Sequence, residues 1–342
     1  MTHRDIIERT IRLQATPRLP VSLLSAGAWT LLRGGLTLEQ ALTATPERVA
    51  AIIAATNEEV GCDIVWPGSG YHNLAVRGAG GVIKFRAKGT PDVMAPLFAS
   101  AADVDLRRAA TVSDDPGARL LVEAARILAR QIGAHTVVGT SSWAPFTLAG
   151  HTIGVENLMR ALRKSPADAH RALAFGAELC WRYLEPFIDA GVTMISIADP
   201  TASGDLISRE QFIEFVLPYL KHVGSKIKAR GVLLTVHICG NTTNRLDQIP
   251  LAGADLMSVD YKVDLRDARR ALGGKIAFAG NLNPVAIMQR ETPAGVAAAV
   301  RDAVTKASPA AGYVVMPGCD IPPTVPVDNV KAMVAAAREY QL

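Results

Sequence analysis

The sequence predicts an α/β fold, a (β/α)8 TIM barrel, on three observations. Short β-rich apolar runs alternate with longer amphipathic segments, the order expected of parallel strands joined by crossover helices. Eight such runs can be read, the number that closes a barrel. No polar linker divides them, and the stretch after the first run, Ser25-Ala26-Gly27-Ala28-Trp29, lacks the G-x-G-x-x-G spacing that an open doubly wound sheet would favour.

The chain begins with Met1 to Gln14, where charges alternate with Ile and Leu at helical spacing. This reads as an amphipathic N-terminal helix and not as a signal peptide. The eight strands are expected at Leu19 to Leu24, Cys62 to Trp66, His135 to Thr140, Thr193 to Ala198, Val232 to His237, Leu256 to Val259, Ile276 to Ala279 and Tyr313 to Met316. Loops and helices follow each. Thr45-Pro46 and Ser165-Pro166 place a cap before a proline at the first helical position, and Ser208 with Gln211 has capping-box spacing. Residues 67–115 interrupt this rhythm after the second strand. There Leu74 to Val76 and Val82 to Phe85 flank Arg77-Gly78-Ala79-Gly80-Gly81, which predicts a β-hairpin insertion roofing the barrel mouth. The whole chain, 1–342, is expected to be one domain.

Composition narrows the function classes. Of 342 residues, 49% are hydrophobic and 20% charged, ample for a large core and unlike a disordered chain. Thirty-six Lys and Arg against 32 Asp and Glu leave a formal charge of +4, too small and too evenly spread for nucleic-acid binding. No apolar run reaches the roughly 20 residues of a membrane span. Four scattered cysteines do not make a disulfide framework and suit reduced thiols in a cytoplasmic protein. Oligomeric state is not legible.

In a barrel of this kind the reactive side chains sit at the C-terminal strand ends. Strand five ends Val236-His237-Ile238-Cys239-Gly240, and strand eight ends Pro317-Gly318-Cys319-Asp320. His237 and Cys239 are two apart on an extended segment and point to one face. Cys319 ends a strand whose side chains converge on the same axis. One imidazole and two thiolates form a zinc set that leaves a fourth position for substrate. Such an ion is formally uncharged and suits holding a thiol as a nucleophilic thiolate, which points to sulfur alkylation and away from hydrolysis.

Asp199 and Asp260 end strands four and six. Either can fill the open zinc position, orient His237 or handle a proton, while Asp199 before Pro200 also suits a turn cap. His72, beside Tyr71 just past strand two, faces the expected mouth as a substrate contact. Asn281 and Asn283 suit substrate binding or turn formation. Cys62 and Cys180 read as core residues. His3, His170 and His222 read as solvated helix residues.

Five segments carry a family resemblance: Ser196-Ile-Ala-Asp-Pro-Thr-Ala-Ser203, Asp205-Leu-Ile-Ser208, Val236-His-Ile-Cys-Gly-Asn241, Gly280-Asn-Leu-Asn-Pro284 and Met316-Pro-Gly-Cys-Asp-Ile-Pro-Pro323. They resemble the uroporphyrinogen decarboxylase superfamily. More narrowly, they resemble its corrinoid-linked methyltransferase branch, which includes the methylcobamide:coenzyme M methyltransferases and the chloromethane-utilising methyltransferase. In that branch an H-x-C motif and a distant cysteine bind catalytic zinc, matching His237, Cys239 and Cys319. The resemblance implies the barrel, zinc, and methyl transfer to or from the cobalt of a corrinoid (cobalamin) presented by a partner corrinoid protein. Tyr71, His72 and Asn281, from their positions just past strand ends, are the expected contacts for the bound group. Two other readings compete. A tetrapyrrole decarboxylase would need arginines after the first strand to neutralise substrate carboxylates, and Leu24 to Thr30 contains none. A non-catalytic corrinoid-binding barrel with structural zinc would need a fourth permanent protein ligand.

Overall fold

The computed structural model describes residues 1–87, 89–308 and 311–340. Its strands are β1 (Ile64–Val65), β2 (Ile83–Lys84), β3 (Asp92–Val93), β4 (Val137–Trp143), β5 (Met194–Ala198), β6 (Leu233–Ile238), β7 (Leu256–Val259), β8 (Ala277–Leu282) and β9 (Tyr313–Pro317). β1 and β4 to β9 form one parallel sheet whose spatial order follows chain order. β5, β7 and β9 are buried along their whole length, as both-face coverage in an α/β fold requires.

The sheet edges meet through residues 20–22. Val21 bridges Val315 in parallel, the Val315 N–H donates to Pro20 O at 2.9 Å, and the Asp63 N–H donates to Val21 O at 2.8 Å. This is the expected first strand, reduced to a single bridge instead of a run from Leu19 to Leu24. Pro20 offers no N–H to a ladder, which limits the pairing this segment can sustain. The other seven strands lie where the sequence predicts them, with β4 continuing to Trp143.

Helix starts follow the sequence signals in most places. Thr45 caps Pro46–Val60 by accepting the Arg48 N–H, and Ser208 with Gln211 forms a complete capping box. Ser165 precedes Pro166–Asp189 but makes no side-chain capping bond.

The insertion after β1 contains a hairpin with different arms from those expected. β2 pairs antiparallel with β3, Ile83 opposite Val93, whereas Leu74–Gly78 is helical. Leu74, Ala75 and Val76 are fully buried. An apolar run this short has no period that separates strand from buried helix, and tertiary packing decided.

Below the sheet, one carboxylate ties the closure together. Asp63 is fully buried; it accepts from Arg18 at 2.6 and 3.0 Å, from the Val21 N–H at 2.7 Å, and pairs with His3 Nδ1 at 2.6 Å. His3 therefore anchors the N-terminal helix and is not a free solvated residue. His170 likewise meets the Tyr219 hydroxyl at 3.0 Å. Burial alone would raise the Asp63 pKa, but Arg18 and His3 outweigh it and hold the carboxyl below its ordinary value. A depressed pKa contributes stability above the ordinary carboxylate value of 3.8 and loses it as pH falls through the lowered one. Replacing Asp63 by alanine strands the Arg18 charge and should cost about 3–5 kcal/mol in urea unfolding at neutral pH. The gap between wild type and variant should shrink in acid; an unchanged midpoint at neutral pH would remove Asp63 from this role.

Candidate metal centre

The ends of β6 and β9 build the site. Two strands, β7 and β8, separate them, so in a flat sheet they would stand about 14 Å apart. In the closed barrel, Cys239 Sγ and Cys319 Sγ are 3.4 Å apart, and His237 Nε2 is 3.1 Å from Cys239 Sγ. All three ligand atoms lie within 4.8 Å of one another. A common ion at ordinary Zn–S and Zn–N bond lengths fits such a group, and soft sulfurs with imidazole are the donors that zinc takes.

Glycines set the approach of both loops. Gly240, following Cys239, has φ +85°, and a Cβ there would meet Asp205 Oδ2 at 2.6 Å. Gly318, preceding Cys319, has no room for a Cβ, which would lie 2.5 Å from the Tyr261 backbone N. The β9 loop thus lies directly against the β7 loop, bringing Cys319 inward.

The imidazole is oriented from behind. His237 is buried, and its Nδ1 lies 2.9 Å from Ser258 Oγ and 3.2 Å from Ser258 O, one strand over in β7. With the proton on Nδ1, the ring donates there and presents the Nε2 lone pair to the thiols. Between the sulfurs, the contact with Cys239 together with His237 lowers the Cys319 pKa, and the same contact raises that of Cys239. One thiolate therefore forms readily beside its partner.

The remaining expected residues fall into different settings. Asp260, nearly buried, accepts the Lys262 N–H at 2.9 Å, and burial raises its pKa. It is close enough to His237 and Cys319 for each to influence its charge. Asp199 is fully buried and caps the helix Pro145–Ile153, whose own cap residue Ala144 has no side-chain donor or acceptor. Its Oδ1 accepts from Thr147 N–H at 2.7 Å and Thr147 Oγ1 at 2.6 Å. Burial pushes its pKa up to about 7, and its Oδ2 has no partner among the described residues. Its backbone N–H donates to His237 O at 2.8 Å. His72 contacts Ser141 Oγ at 2.7 Å, its ring centre lies 4.5 Å from that of Trp143 with the planes tilted by 52°, and its pKa is pushed down to about 3 by burial and by His237.

Tyr71 and Asn281 have their polar groups engaged by backbone. The Tyr71 hydroxyl donates to Leu38 O at 2.7 Å, and the ring lines an apolar cavity with Trp29, Cys62 and Trp66 that includes none of the three clustered ligands. Asn281 Nδ2 donates to Asp260 O at 3.0 Å and Val263 O at 2.6 Å, pinning the loop after β7. Sequence reasoning did not single out Ser258, Thr147 or Ser141. Each is a polar residue in or beside an apolar run, and only its partner across the sheet reveals its use.

Comparison with known proteins agrees with this architecture. The fold matches a solved structure of a methyltransferase from Methanosarcina mazei with TM-score 0.88, at 23% identity and covering 99% of each chain. In sequence, the chain is 34% identical over 225 residues to the methylcobamide:CoM methyltransferase MtbA of Methanosarcina acetivorans, spanning 65% of this chain and 64% of that protein. It is 28% identical over 242 residues to a uroporphyrinogen decarboxylase of Carboxydothermus hydrogenoformans, spanning 69% and 68%. The match to the methylcobamide:CoM methyltransferases thus spans just under two thirds of their length. The family model described as uroporphyrinogen decarboxylase (URO-D) matches residues 2–340, almost end to end, and the chain belongs to that family.

Proposed function

We propose that the protein is a zinc-dependent methyltransferase that moves a methyl group between a corrinoid carried by a partner protein and the sulfur of a small thiol. The observation that carries this reading is the meeting of His237, Cys239 and Cys319 at the barrel rim. The resemblance to methylcobamide:CoM methyltransferases supports it. A decarboxylase would have no use for two convergent thiols, and the segment after the first strand lacks the arginines a polycarboxylate needs.

The residues divide the work. His237, Cys239 and Cys319 would hold the ion, with Ser258 fixing the imidazole so that Nε2 faces it. When bound, zinc supplies a mild Lewis acid that keeps a substrate thiol ionised at neutral pH. Asp260 would take the thiol proton, a role supported by the burial that raises its pKa above the ordinary carboxylate value. Asp199 acts through the backbone, fixing β5 against His237 while it caps the helix behind. His72 and Trp143 pack together at the end of β4, two strands from His237, and would limit water there. In the overall transfer to thiol, the sulfur–carbon bond forms as the carbon–cobalt bond breaks, the electron pair stays on cobalt, and the thiol proton leaves.

Changing Cys239 or Cys319 to serine should abolish both stoichiometric zinc and methyl transfer from methylcobalamin to thiol, measured by metal analysis and by thioether product. Full activity in a metal-free variant would contradict the assignment. Ser258→Ala removes the shorter of the two contacts to His237 Nδ1, leaving the one to the backbone carbonyl, and should weaken zinc binding about tenfold in chelator competition, with the fold intact by circular dichroism.

A further inference from the structure

Cys239 and Cys319 are open to a second chemistry that methyl transfer does not use. Their sulfurs lie 3.4 Å apart although the residues are 80 positions apart in sequence. A tetrahedral zinc with bonds of about 2.3 Å would set two sulfurs about 3.8 Å apart, whereas a disulfide joins them at about 2.05 Å. The observed spacing falls between the two. The approach still needed for a bond, about 1.4 Å, is smaller than the swing of a sulfur between staggered rotamers. The two uses exclude each other, because a sulfur taken into a disulfide is no longer a thiolate ligand.

Access separates this pair from the other cysteines. Cys239 and Cys319 are partly exposed, whereas Cys62 and Cys180 are buried. Cys62 borders the apolar cavity beside Trp66 and Tyr71, and Cys180 lies within the helix Pro166–Asp189. Burial pushes the Cys62 thiol up to about 12 and raises that of Cys180 as well, so neither ionises at neutral pH. An oxidised cysteine is recoverable when a second thiol stands ready to resolve it, and here each exposed sulfur has the other in contact.

Resting on the metal-centre reading of these residues, we propose that Cys239 and Cys319 also form a reversible modification site: a hydroperoxide joins them in a disulfide, which expels zinc and halts methyl transfer until a dithiol restores the thiols.

The step balances. One sulfur attacks a peroxide oxygen, the O–O bond breaks, and a sulfenic acid forms. The second sulfur attacks the first, the S–S bond forms, and the S–O bond breaks. Two electrons pass from the sulfur pair to the peroxide, which takes up two protons and leaves as two waters, while both zinc–sulfur bonds break.

The test treats zinc-loaded protein with hydrogen peroxide. Expected are release of about one equivalent of zinc to a chromogenic chelator, loss of two of the four thiols counted after denaturation, and a Cys239–Cys319 cross-link in unreduced peptide maps. Dithiothreitol with added zinc should return the metal, the thiols and methyl transfer from methylcobalamin. A variant combining Cys62→Ala and Cys180→Ala should release zinc at the wild-type rate; should it fail to fold, the wild-type peptide map decides the same point. Sulfinic acid in place of the cross-link, a cross-link through Cys62 or Cys180, a loss that dithiothreitol and zinc do not reverse, or zinc and all four thiols surviving peroxide overturns the proposal and leaves the metal centre standing. Reduced protein that takes up no zinc overturns the metal-centre reading itself, whether or not the two sulfurs join.

Discussion

Closure of the sheet is the constraint on which everything else depends. Cys239 and Cys319 stand on strands that a flat sheet would hold about 14 Å apart, yet their sulfurs are in contact at 3.4 Å. Sheet curvature and the close approach of the two glycine-bearing loops bring them together. Curvature in turn requires the sheet edges to meet, and that junction is narrow: one parallel bridge at Val21, reinforced by the buried Asp63 and its Arg18 and His3 partners. The chemistry at the top of the barrel thus depends on an ion-pair cluster at the bottom of it.

A second feature is the supply of buried polar partners from neighbouring strands. Ser258 holds His237 and Ser141 holds His72, each across one strand pair, and Thr147 holds Asp199 from the helix that follows β4. Burying these groups unpaired would cost a few kcal/mol apiece, so such pairings fix side-chain direction as well as stability. The pairing is incomplete at Asp199 Oδ2, His72 Nδ1 and Asp320 Oδ1, which follow β5, β1 and β9 in the chain.

Much of this was legible in the amino-acid order. Seven strands were readable because buried parallel strands are near-continuous apolar runs, and the ligand trio because reactive groups collect at C-terminal strand ends. The first strand was overstated because Val21 and Leu23 look strand-like while Pro20 cannot donate to a ladder. The hairpin arms were misplaced because Leu74 to Val76 is too short for its period to declare helix or strand. His3 was misjudged because its partner, Asp63, lies 60 residues away and nothing local signals it. Pairings between distant residues, such as His237 with Ser258, are consequences of register and become visible only once the strands are aligned.

The central claim is a trigonal protein donor set of one nitrogen and two sulfurs that leaves room for a substrate sulfur. Zinc-edge X-ray absorption on the purified protein tests it most directly. The account predicts two sulfur scatterers at about 2.3 Å and one nitrogen at about 2.0–2.1 Å from the protein, with a third sulfur joining when thiol is added. A shell already filled by four protein ligands and unchanged by thiol, or no zinc at all, would contradict it.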